Sequence, residues 1–191
     1  MKKRILILIA LLTVAVLVLG GCMKFDYTQL NEMFSQNYSS VNVTVATTMN
    51  GETLTSTFDV TNSGSSATVN YSVQSFSQFD GEIPDSYITT QSGTVTGTVS
   101  NGVFMATGSD LPFTSLNMKF RLDESYFTDA VVTSSQFSAK VSRPQSFTGN
   151  GDLDCNDMQV KITFGEAIQT VEISYTSANG ASVSMEYTYT K

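Results

Sequence analysis

The chain has 191 residues, with ten basic and 17 acidic side chains, two Cys, no His and no Trp. That length suits a single domain and does not need disulfides in place of a core. A net charge of −7 argues against a nucleic-acid partner, which needs clustered Lys and Arg, and the lack of His removes Ser-His-Asp triads, Cys-His dyads and His-ligated zinc.

The N-terminus reads as an address. Lys2, Lys3 and Arg4 form a basic start, and Ile5–Leu19 is an apolar run broken only by Thr13. Fifteen residues are short for a membrane span, which needs roughly twenty. The run ends in Leu19-Gly20-Gly21-Cys22, and small residues before a cleavage point are what an export signal needs. This ending resembles the lipobox of bacterial lipoproteins. The resemblance implies that signal peptidase II recognises Leu19, Gly20 and Gly21 and cuts before Cys22. It also implies that Cys22 is thioether-linked to diacylglycerol and that its new amine can take a further fatty acyl group such as palmitate. Two or three acyl chains anchor stably, whereas one binds only marginally. The expected organisation is a removed signal peptide at 1–21, a lipidated Cys and short tether at 22–25, and one β-rich domain at 26–191. The expected location is the extracytoplasmic face of the cell membrane or, in a two-membrane cell, the outer membrane. Met23 stands where Asp often marks inner-membrane retention in enteric lipoproteins.

Residues 22–191 carry seven bases against 17 acids, so the surface is not that of a polybasic membrane binder. Its polarity comes from 25 Ser and 24 Thr, side chains that suit half-wet strands better than helices. A helix is predicted over Asp26–Asn37, with Tyr27, Leu30, Met33 and Phe34 on one face, Asp26 as its cap and Gln29 at the capping-box position. The period then changes to two. Val41, Val43 and Val45 alternate with polar residues up to a turn at Asn50-Gly51. Leu54, Phe58 and Val60 return, and Val69, Tyr71 and Val73 make a third strand. Residues 77–86 read as a loop. Tyr87–Gln91 and Thr94–Ser100 read as two weaker strands, with Gly97 a bend or bulge. Val103–Thr107 follows the Asn101-Gly102 turn, and 108–112 is a loop. Leu116, Met118, Phe120 and Leu122 alternate as a strand. The pattern over 126–135 fits a helical turn or a strand, and Phe137, Ala139 and Val141 precede Pro144 as a short strand. The runs Met158–Phe164, Val171–Tyr175 and Val183–Tyr189 complete two hairpins, with Tyr187 and Tyr189 on the apolar face.

This pattern predicts an all-β to β-rich fold: one curved antiparallel meander with a short N-terminal helix, a β-sandwich being the alternative. The element order resembles the half-barrel lipoprotein carriers of the LolA/LolB/LppX type. That resemblance implies a curved sheet around helical segments, with an apolar concavity for acyl chains. The chain departs from that pattern in lacking Trp and a visible second and third helix.

Chemistry is sparse. With Cys22 lipidated, Cys155 is a lone thiol with no His to activate it. Asp152, Asp154 and Asn156 match the first liganding positions of a calcium loop, but Asp157 stands where that loop needs Gly and Thr163 where it needs Glu. An Asx-rich turn accounts for the same residues. Asp123 and Glu124 read as a solvated turn, and no nucleophile elbow or phosphate loop occurs. No cofactor is expected. The expected function is a membrane-anchored, non-enzymatic lipoprotein with a binding or envelope-structural role, holding a lipid or other apolar ligand in its concave face. The alternative is a sandwich-type adhesin or interaction module for a protein or glycan, and an enzyme using carboxylates alone is a third class.

Overall fold

The computed structural model describes residues 26–76 and 88–191. The signal segment, the Cys22 tether and the 77–86 loop lie outside these residues.

Among the described residues, eleven antiparallel strands form one curved sheet that does not close into a barrel. Helix α1 spans Tyr27–Ser35. The strands are β1 (Ser40–Met49), β2 (Glu52–Ser63), β3 (Ser66–Phe76), β4 (Ile88–Ser100), β5 (Val103–Ala106), β6 (Ser115–Asn117), β7 (Phe127–Val132), β8 (Gln136–Val141), β9 (Cys155–Phe164), β10 (Ile168–Ser177) and β11 (Ser182–Thr190), with helix α2 (Pro144–Thr148) after β8. The spatial order is β6-β5-β4-β3-β2-β1-β11-β10-β9-β8-β7. The fold class read from alternation therefore holds, and the sandwich alternative does not. There is one sheet, made of two meanders joined where the first strand pairs with the last: Val41 faces Tyr189 and Val43 faces Tyr187.

Hairpin turns follow residue chemistry. Asn50 and Gly51 have φ of 54° and 86°, and Asn101 and Gly102 have 51° and 79°. Two successive positive φ values are what a tight hairpin matching the strand twist requires. The two strands read at Tyr87–Gln91 and Thr94–Ser100 are instead one continuous strand, β4, in unbroken register with β3. Gly97 marks a close approach rather than a bulge: a Cβ there would lie 2.1 Å from the Met105 carbonyl and 2.7 Å from the Phe104 ring.

The inner face of the sheet carries the apolar residues, and the chain covers that face with its own segments. Helix α1 ends two residues earlier than the pattern predicted, because Gln36 is already extended. Asp26 caps it, accepting from the Thr28 N–H at 2.8 Å. Nine residues make only a marginal helix in isolation, so α1 depends on burying Leu30, Met33 and Phe34 against the sheet. The alternating run at 116–122 is the main correction to the sequence reading. Only Ser115–Asn117 pairs as a strand. The chain then crosses the inner face from β6 at one edge of the sheet to β7 at the other. Met118, Phe120 and Leu122 point inward and are buried, while Arg121 is exposed. A strap over an apolar surface has the same period of two as a strand, since period reports wet and dry sides, not pairing.

Side chains satisfy much of the strap's backbone: Tyr189 donates to the Met118 carbonyl at 3.0 Å, and Asn31 makes two bonds to Leu122. Phe120 is the hub, edge-on to Phe34 and Tyr187 and stacked on Phe147 at 5.2 Å. Phe147 comes from α2, which the sequence reading missed. Its signals are Pro144 at the first turn and Gly149 at the end with φ 71°. On the other arm Phe113, from the loop before β6, packs edge-on against Phe58 and Tyr71. The ambiguous 126–135 segment is mainly strand, β7, entered from a one-turn 3₁₀ helix at Glu124–Tyr126.

Candidate functional site

The outer face of the sheet is polar. Alternation sends Thr44, Ser138, Lys140, Gln159, Lys161, Glu172, Ser174, Ser184 and Glu186 to this side, opposite the buried valines and isoleucines. Over β1 and β8–β11 it forms an open trough of about 630 Å³. Register builds its centre. Glu172 on β10 lies opposite Lys161 on β9 and also opposite Glu186 on β11, which in turn faces Thr44 on β1. The Lys161 ammonium sits 2.7 Å from the Glu172 carboxylate. At the rim Lys140 pairs with Asp129 at 2.9 Å, and this hydrogen bond, followed by the Asp129 charge, raises the Lys140 pKa above its usual value. Both pairs are well exposed and contribute little to folding. What they supply is a hydrogen-bonding floor of hydroxyls and amides with fixed charges of both signs. Sequence reading missed this set. Each residue points outward by alternation alone, but their meeting depends on pairing between strands that carry no local signal of partner.

A second cavity of about 430 Å³ lies where the start of β1 meets the strap, lined by Asn37, Tyr38, Asn62, Met118, Lys119 and Lys191 among others. The Asn62 amide donates to the Tyr38 carbonyl at 2.9 Å, and its buried side-chain oxygen has no partner among the described residues.

The residues singled out from sequence are placed as follows. Asp152, Asp154 and Asn156 do not wind around a centre. Asn150 accepts from the Asp152 N–H at 3.1 Å, forming an Asx turn, the Asp154 carbonyl accepts from Ala178 at 3.2 Å, and Asn156 pairs with Thr176 in β9–β10. The segment is pinned along β10, with all three side chains exposed. Among the described residues no three His, Cys, Asp or Glu side chains gather as a metal site. Cys155 opens β9, half-buried rather than in a turn, and partial burial followed by the nearby Asp154 charge raises its thiol pKa. A raised thiol pKa leaves less thiolate at neutral pH. Asp123 caps the 3₁₀ turn, accepting from the Ser125 N–H at 2.9 Å. Tyr187 and Tyr189 are buried, at 4% and 7% exposure, as their position on the apolar face predicts. Leu19, Gly20, Gly21 and Cys22 lie outside the described residues, and among those described no helix is long and apolar enough to cross a membrane.

No family model matches the chain, and no curated protein matches it at a significant level.

Proposed function

We propose that this chain is a lipid-anchored extracytoplasmic protein whose domain is a non-catalytic binding or envelope-structural module, offering its polar outer trough to a protein or glycan. The anchor rests on Leu19-Gly20-Gly21-Cys22. One observation carries the link to the domain: the lipobox ends four residues before Asp26, the cap of the first helix, so cleavage before Cys22 leaves all the described packing intact. The choice of trough rests on the inner face being occupied by Phe34, Phe113, Phe120 and Phe147 of the chain itself. In Cys22→Ala, incorporation of labelled fatty acid should be lost and an unprocessed or released protein should remain. Continued processing with label would contradict the anchor.

A second reading, an apolar ligand on the inner face, is favoured by Val45, Val73, Tyr175 and Met185, which face that side and are only half-buried. Native mass spectrometry separates the two. The first reading expects no copurified acyl lipid and no titratable fatty-acid binding, and a one-to-one acyl complex would replace it with the second.

A further inference from the structure

The start of α1 fixes where the tether leaves the domain. Tyr27 stacks on Phe127 of β7 at 5.8 Å, with rings 6° from parallel, and meets Phe137 of β8 edge-on at the same distance. Asp26 therefore sits beside the β7 edge of the sheet. It lies four positions after Cys22, a reach of at most about 14 Å. A bilayer holding the Cys22 lipid must lie close to this edge.

The cations, though not the acids, are divided along the same axis. Between Lys24 and Lys119 there is no Lys or Arg; residues 40–117 hold six acids, while Asp26 and Glu32 belong to α1 and its cap. The β1–β6 arm thus contributes no cation of its own, and Lys119 of the strap packs over Gly102 at the β4–β5 turn. Every base from Lys119 onward belongs to the strap, to the β7–β11 arm or to the C-terminus. Two of them meet at the β7 corner. The Asp123 carboxyl, which caps the turn into β7, is held below its usual range first by the Ser125 hydroxyl and N–H, and further by Arg121 and Arg143. Arg121 and Arg143 are exposed, Glu124 stands beside Asp123 in the same turn, and Asp129, on β7 itself, is paired with Lys140. Val131, on the same edge strand, is 61% exposed.

We propose that the domain stands on the bilayer by its β7 edge, with Arg121 and Arg143 against lipid phosphates and the base-free arm directed away. This rests on the reading that Cys22 carries the lipid. The acyl chains supply the binding, the short tether selects the edge and the arginines add to the orientation, because a net acidic domain has no polybasic patch with which to adsorb. The acidic arm is repelled by anionic headgroups. From β7 to β4 there are eight strand spacings, about 38 Å along the curve, so the far arm reaches well beyond the headgroup layer.

The test uses the full protein as processed and extracted from membranes, reconstituted in phosphatidylethanolamine/phosphatidylglycerol vesicles that contain a headgroup-level quencher. Val131→Cys and Thr96→Cys, each in a Cys155→Ala background, carry the fluorophore. Quenching should be at least several-fold stronger at position 131 than at 96, and Arg121→Gln with Arg143→Gln should reduce that difference. Equal quenching at the two positions, or stronger quenching at 96, would overturn the orientation. An intact mass measured on the same samples keeps the two claims apart. A diacylglyceryl mass with equal quenching sinks the orientation alone, and a mass without lipid sinks the anchor and the orientation with it.

Discussion

Asn31 and Leu122 hold each other by two hydrogen bonds, both 2.8 Å long: the Asn31 amide donates to the Leu122 carbonyl, and its side-chain oxygen accepts from the Leu122 N–H. Residues 91 apart in sequence thereby lock the strap to α1. Neither Leu122 group has a strand partner, so one side chain replaces a ladder. Asn31→Ala should destabilise the fold by about 2–3 kcal/mol, since two partly buried backbone groups lose their partners. Ser35→Ala, on an exposed position of the same helix, should change it by less than about 0.5 kcal/mol. Urea denaturation of the two variants checks this, and equal effects would remove the clamp from the account.

The buried tyrosines make the fold sensitive to alkali. Burial pushes the Tyr187 hydroxyl far above its usual range, with Tyr175 adding to it, and burial raises Tyr189 likewise, aided by Tyr187 and Tyr38. A pKa raised in the folded state means the neutral form is favoured there. That stability is fully present below the unfolded value near pH 10 and is lost as pH rises beyond it, at about 1.4 kcal/mol per pH unit for each tyrosine. With no His in the chain, the profile should be flat from about pH 6 to 8, dip slightly as the Cys155 thiol of the unfolded chain ionises, and fall more steeply beyond about pH 10. Tyr187→Phe, which removes one of these groups, should shallow the alkaline limb, and an unchanged limb would show that the loss arises elsewhere.

Gly97 should tolerate no side chain. In Gly97→Ala the new methyl meets the Met105 carbonyl and the fully buried Phe104 ring, and β4–β5 pairing prevents a simple retreat. A loss of about 2–3 kcal/mol is expected from such overpacking. Gly151→Ala, where nothing lies within 4 Å, should be near neutral. Thermal unfolding of both variants gives the comparison.

The strands were readable wherever one side is wet and the other dry, as in Val41–Val45 and Met158–Phe164. The same signal misled at Met118–Leu122, because a strap laid over an apolar face alternates as a strand does. Helix α2 is five residues long, too short for a period to show, and only its Pro and Gly mark it. The β1–β11 pairing and the Glu172–Glu186 apposition depend on register between strands far apart in sequence, and no local pattern encodes that. The acidic 152–157 turn looked like a ligand loop because Asx residues serve turns and ions alike, and backbone pairing to β10 decides its shape.

The anchor is tested most directly by the intact mass of the protein extracted from membranes with detergent. The account predicts a polypeptide that begins at Cys22 and carries the added mass of a diacylglyceryl group, with or without a further acyl chain. A chain that begins at Met1, or one cut elsewhere and free of lipid, would contradict it.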